Sequence, residues 1–249
     1  MISAFPYRLT GPIGKRGTLG LIVLQVDETI EQDFRRLFPD PEVAIHISRI
    51  PSGAELTPDT IATMRSELPR AASLLPPAAE FDAIGYGCTS GATLIGPDAV
   101  AALIAEGATT RAVSDPFTAA VAALEALGVA SIGIVSPYVA SVAGPIRSAF
   151  RATGIDVPAM LSFGEELEAR VARIDPTSIR DAALEVGSTG GVDAVFLSCT
   201  NLQTLDIIDD LEDRLRLPVI SSNQALAWHI ARISGSTVMP HPPGRLFDF

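Results

Sequence analysis

Continuous apolar runs alternate with amphipathic stretches along nearly the whole chain. Residues 19–26 are apolar and β-rich without alternation, the pattern of a strand covered on both faces. Asp27 and Glu28 end that run, and Thr29 predicts the cap of a helix to about Leu37. A second strand is predicted over 43–50. Thr57-Pro58-Asp59 opens a helix over 59–75, with Thr57 as cap and Pro58 in its first position. Residues 83–86 predict a third strand, 98–106 a helix, 111–113 a short strand, and Asp115-Pro116 the start of a helix to about Leu127. Further strands are predicted over 131–135, 155–160, 194–197 and 219–220. Further helices are predicted over 139–152, 176–186, 205–215 and 224–233. Residues 1–17 read as an irregular lead-in. Strands and helices in this alternation predict an α/β fold of parallel sheets with helices on both faces.

The pattern is duplicated. Asp82-Ala83-Ile84-Gly85-Tyr86-Gly87-Cys88-Thr89 is echoed by Asp193-Ala194-Val195-Phe196-Leu197-Ser198-Cys199-Thr200. Leu19-Gly20-Leu21-Ile22-Val23 is echoed at nearly the same offset by Ile132-Gly133-Ile134-Val135. Arg111-Ala112-Val113-Ser114 and Leu217-Pro218-Val219-Ile220-Ser221 form a third ordered match. Two pseudo-symmetric, Rossmann-like lobes follow. The first is expected to hold residues 1–114 and 222–249, and the second residues 115–221. Open α/β sheets bind ligands beyond the carboxyl ends of their strands. Facing lobes of this kind place an active site in the cleft between them.

The two cysteines of the chain, Cys88 and Cys199, stand at those strand ends. A thiol at a strand-to-helix turn meets free backbone N–H groups, which are expected to draw its pKa toward neutrality. Thr89, Ser90 and Gly91 after Cys88, and Thr200 and Asn201 after Cys199, offer donors to a carboxylate. Two thiols around one carbon permit one to take a proton while the other gives one. They also permit one to add to an activated double bond while the other handles the proton. A disulfide is the bland alternative, and two buried structural cysteines another. His46 and His229 read as structural residues, and His241 lies in a proline-rich tail. Glu165, Glu166 and Glu168 read as a solvated acidic run.

Composition narrows the classes. Hydrophobic residues make up 47% and charged ones 19%, enough for a large core. A net charge of −11 argues against nucleic acid and anionic membranes as partners, and leaves a small carboxylate substrate open. No run qualifies as a membrane span and the N-terminus lacks a signal-peptide pattern, so a cytoplasmic location is expected. No His/Cys/carboxylate spacing predicts a metal, and no glycine fingerprint predicts a nucleotide.

Gly87-Cys88-Thr89-Ser90-Gly91 and Leu197-Ser198-Cys199-Thr200-Asn201 resemble the paired cysteine motifs of the aspartate/glutamate racemase superfamily. Within it, the chain resembles the branch of maleate cis-trans isomerases and arylmalonate decarboxylases, over nearly its whole length. The resemblance implies cofactor-free catalysis, with Cys88 as nucleophile or base and Cys199 as proton partner. It implies that Tyr138 donates a hydrogen bond to a substrate carboxylate, and that the protein is a homodimer or larger homo-oligomer. The family's decarboxylases usually lack the first cysteine, which is present here. Maleate isomerases typically have asparagine at Asp27 and another near Gly164. Asp27 would repel a dianion or pair with a substrate ammonium group. Asp27-Glu28-Thr29 is also similar to the ectoine-utilisation proteins of this branch. The activity expected is therefore isomerisation at a carbon next to a carboxylate, on a dicarboxylate or an amino acid. Amino-acid racemisation, decarboxylation and simple carboxylate binding are the alternatives.

Overall fold

The computed structural model describes residues 2–55 and 57–249; Met1 of the lead-in and Leu56 lie outside the described residues. The first half of the chain runs β1 (Gly17–Leu24), α1 (Ile30–Leu37), β2 (Val43–Ile50), α2 (Pro58–Ser73), β3 (Ala83–Gly87), α3 (Thr89–Ile95), α4 (Pro97–Gly107) and β4 (Val113–Ser114). The second runs α5 (Pro116–Ala126), β5 (Ser131–Tyr138), α6 (Ala140–Ala152), β6 (Asp156–Glu165), α7 (Glu168–Val171), α8 (Pro176–Gly187), β7 (Ala194–Leu197), α9 (Ile208–Leu215), β8 (Val219–Ser221) and α10 (Ser222–Ser234). Short 3₁₀ turns cover Leu205–Ile207 and Arg245–Asp248.

Each half builds a four-stranded parallel sheet, in the order β2-β1-β3-β4 and β6-β5-β7-β8. The two orders are the same once the halves are aligned, so the duplication read in the sequence is a duplication of topology. Every residue of β1 is buried, as its unbroken apolar run requires. The glycine shared by the two echoes has one purpose in both. A Cβ on Gly20 would sit 2.8 Å from Ile84 and 3.2 Å from Leu75; one on Gly133 would sit 2.0 Å from Val186. Each glycine thus leaves room on a central strand for a close neighbour, Ile84 of β3 and Leu75 at Gly20 and α8 at Gly133.

The helices after β4 and β8 change sides. Phe117 of α5 packs edge-on against Phe150 of α6 at 5.0 Å, and Phe150 against Phe196 of β7 at 5.3 Å. In return Ile230 and Leu226 of α10 lie over Gly85 of β3. Each lobe is therefore completed by the helix that follows the other lobe's last strand. The Ser114 hydroxyl meets His229 Nδ1 at 2.7 Å, which fixes α10 against the end of β4.

Several elements differ from expectation. α3 and α7 are extra helices of seven and four residues, too short to show a period of their own. β6 runs five residues beyond the expected end, pairing with β5 as far as Glu165. The helix expected over 205–215 begins as a 3₁₀ turn. Thr29 makes no side-chain cap for α1. The Asp27 carboxylate takes that task, accepting from the Thr29 and Ile30 amides at 2.8 and 2.9 Å. Thr57 does cap α2, in a reciprocal pair with Thr60.

Candidate active site

Both cysteines leave the carboxyl end of the third strand of their sheet and face the seam between the lobes. Cys88 is 2% exposed and Cys199 3%, and both are free thiols. The Cys88 sulfur accepts from the Gly91 amide at 3.2 Å and lies 3.6 Å from the Ser90 hydroxyl. Gly91 has to be glycine, since a Cβ there would stand 2.5 Å from the Tyr86 hydroxyl and 2.9 Å from the sulfur. The Cys199 sulfur accepts from the Asn201 amide at 3.3 Å, and the Tyr138 hydroxyl lies beside it.

The seam binds the two cysteine turns together. Thr89 Oγ1 and Ser222 Oγ meet at 2.8 Å, and that serine accepts the Cys199 amide at 3.1 Å. Thr200 donates its hydroxyl to the Gly87 carbonyl at 3.3 Å. Asn201 accepts the Glu28 amide on Oδ1 at 2.9 Å, and its backbone carbonyl accepts the Thr29 hydroxyl at 3.0 Å. Asn223 donates to the Thr200 carbonyl at 2.8 Å and to Asp33 at 2.7 Å. In this closed arrangement the Thr200 hydroxyl is occupied by the other lobe, and the Thr89 hydroxyl by Ser222 of α10, which packs on Thr89's own lobe. Ser90 alone of the three faces a sulfur.

Asp27, Cys88, Tyr138 and Cys199, which the sequence singled out, converge here from four different turns. Tyr138 is the last residue of β5, and its amide donates to Ser136 Oγ at 3.2 Å. Its hydroxyl is buried, and the charges of Cys199, Glu168 and Cys88 all act on it.

Glu168 corrects the sequence reading. It was grouped with Glu165 and Glu166 as solvated surface, yet it is 3% exposed. Its register explains this: Glu168, Val171 and Ala172 share the inward face of the α7 turn. Its amide donates to the Ala54 carbonyl of the first lobe at 3.1 Å, and its Oε2 accepts Asn201 Nδ2 at 3.1 Å. Burial pushes its carboxyl up to about 7, with Asp27 adding to the shift and Asn201 opposing it. Ser222, Asn223 and Asp33 were also missed. They were hidden in helix-like sequence, and the Asn223 amide and Asp33 carboxylate meet only across the fold.

The expected acidification of the thiols is reversed. Burial pushes Cys88 up to about 11, against the opposing pull of Ser90, the Gly91 amide and Tyr86. Burial also raises Cys199, and the Glu168 charge raises it further, against Tyr138 and the Asn201 amide. The local donors are present as expected. Loss of water and a neighbouring carboxylate outweigh them.

A groove of about 250 Å³ opens at the seam outside the thiols, lined by Glu28, Thr29 and Asp33 from one lobe and Arg173, Gln203 and Thr204 from the other. Among the described residues no three His, Cys, Asp or Glu side chains are placed to hold a metal, and no helix is long and apolar enough to cross a membrane.

Two like-ordered parallel sheets with paired strand-end thiols at their seam define a two-lobed α/β protein of the racemase-like superfamily. Within it, the chain belongs to the arylmalonate decarboxylase family, whose sequence profile matches residues 96–247. Over 80 residues it is 38% identical to an arylmalonate decarboxylase of Bordetella bronchiseptica; the match spans 31% of this chain and only 33% of that protein. A liganded arylmalonate decarboxylase variant superposes with a TM-score of 0.83 at 26% identity, over 93% of this chain and 99% of that one. The maleate isomerase of Pseudomonas putida S16 superposes with a TM-score of 0.83 at 22% identity, over 93% and 98%. A maleate cis-trans isomerase of Nocardia farcinica, bearing a covalently bound succinylcysteine intermediate, superposes with 0.84 at 23% identity, also over 93% and 98%. The members of this family named here are enzymes.

Proposed function

We propose that this protein is a cofactor-independent isomerase that works with Cys88 and Cys199 on a carbon next to a carboxylate. The observation that carries the reading is the pair of buried free thiols, one from each lobe, both within the electrostatic reach of Tyr138.

The chemistry follows from the pairing. In one course a thiolate removes the proton from the carbon beside the carboxylate, and the opposite thiol delivers its own proton to the other face. The two sulfurs then exchange roles and the configuration inverts. In the other course a thiolate adds to one carbon of a double bond and the partner thiol protonates the next. Rotation about the resulting single bond, followed by return of the proton and loss of the thiolate, gives the geometric isomer. The succinylcysteine adduct of the Nocardia protein is an instance of the second course in a relative. In this reading Tyr138, beside Cys199, donates a hydrogen bond to the substrate carboxylate. The closed seam excludes water while the carbanion-like species exists.

Decarboxylation is the second reading, favoured by the family match itself. The two separate on Cys88, because decarboxylases of the family usually lack the first cysteine. The experiment is proton NMR in D₂O with maleate and with each enantiomer of aspartate and glutamate. Fumarate formation or deuterium at the α-carbon supports isomerisation. Loss of a carboxyl group from an arylmalonate, undiminished in Cys88→Ala, contradicts it.

A further inference from the structure

The two carboxylates whose charges act on the thiols make no ion pair among the described residues. Asp27 is 2% exposed, and only its Oδ1 is used, capping α1. Its Oδ2 is buried with no hydrogen-bond partner among the described residues. The Thr200 hydroxyl lies beside it but gives its proton to the Gly87 carbonyl. Arg49, the cation close enough to act on Asp27, spends one guanidinium nitrogen on the Leu24, Gln25 and Asp27 carbonyls and another on Glu31. Glu168 receives only Asn201 on its carboxylate, and its charge reaches Asp27, Cys88, Cys199 and Tyr138. A buried charge left unpaired is costly, so burial holds both carboxyls toward their neutral forms, and a bound cation would restore their charge.

We propose that the substrate carries a cationic nitrogen in addition to its carboxylate, and that Asp27 and Glu168 grip that nitrogen beside the two thiols. This rests on the two-cysteine reading above and departs from the dicarboxylates named for the relatives. The arrangement also makes the substrate its own activator. A cation set between these carboxylates and the sulfurs favours the thiolate form of both cysteines. A second carboxylate in the same place opposes it and meets like charge.

The test compares succinate with β-alanine, which has nearly the same length but an ammonium group for one carboxylate; propionate serves as the monocarboxylate without a cation. The readout is the concentration of each that halves iodoacetamide labelling of Cys88 and Cys199, with the ultraviolet absorbance of thiolate as a second signal. β-Alanine is expected to protect at a concentration about tenfold below that of succinate, and to raise the thiolate signal where succinate does not. The Asp27→Asn/Glu168→Gln double variant keeps both shapes and an α1 cap, and is expected to lose or reverse that preference. Protection by succinate alone, equal protection by both, or protection by neither overturns the grip. The two-cysteine reading fails separately, when Cys88→Ala or Cys199→Ala turns over as fast as wild type.

Discussion

At the residue scale the site is governed by what burial does to charge. Thiols and carboxyls alike are pushed toward their neutral forms, because the closed seam removes the water that would solvate the ions. The two carboxyls raised to about 7 make this visible in stability. Glu168 and Asp33 ionise near 4 in the unfolded chain, so between pH 4 and 7 the folded state holds more protons. Stability contributed by these groups is therefore present at the acid end, lost as pH rises through about 7, and unchanged beyond. Asp33 is faced by Asn223 and by the charges of Arg36, Asp27 and Asp206, and Glu168 by Asn201 and the Asp27 charge. The loss is on the order of 3 kcal/mol for each. Thermal midpoints of wild type are expected to fall from pH 5 to pH 7.5, and those of Glu168→Gln to fall less. Parallel profiles would show that Glu168 ionises normally. Asp27 and Tyr138 were singled out through the family resemblance, whereas the cysteines could be placed from the sequence because each follows a short apolar strand. Glu168 could not, because acidic runs are usually solvated and its burial is decided by a contact with Ala54, far away in the chain.

At the element scale the duplication was readable because a parallel strand buried on both faces is written as an unbroken apolar run. Its helices, by contrast, were bounded by proline and aspartate. Asp115 illustrates the second signal, accepting the Phe117 and Thr118 amides at 2.9 Å ahead of Pro116. α3 and α7 escaped because helices of one or two turns carry no clear periodicity. The cap of α1 was misplaced by two residues because Asp27 and Thr29 are both good caps, and Thr29 is drawn away to Asn201. The glycine echo has a measurable consequence. Gly133→Ala puts a methyl 2.0 Å from Val186, so α8 has to shift off β5. The expected cost is about 1–3 kcal/mol, read as a lowered denaturation midpoint with an unchanged slope. A midpoint within error of wild type would show that α8 packs more loosely than the structure states.

At the scale of the whole molecule, two lobes related by duplication meet on their cysteine turns. The rim of the seam is crossed by ion pairs between Arg173 and Glu28 and between Arg36 and Asp206. All four side chains are largely solvated, so they add little to global stability. On the proposed function, substrate reaches these buried thiols when the lobes part, so the effect of the pairs is expected to fall on the balance between closed and open lobes. The double variant Arg36→Ala/Arg173→Ala is expected to melt with wild type while Cys88 and Cys199 are alkylated several-fold faster. Unchanged alkylation would place the entry route elsewhere. Ser222 and Asn223, which bond Cys199 and Thr200 of the other lobe, belong to this scale, and Asp33 meets Asn223 from far away in the chain, which is why no local pattern announced them.

The most direct test of the account is turnover in D₂O by wild type, Cys88→Ala and Cys199→Ala, with circular dichroism confirming the fold of each. The account predicts that wild type isomerises or exchanges the proton next to a carboxylate, and that removing either thiol lowers that rate about a thousandfold or more. A folded variant lacking one thiol that matches wild type would contradict it.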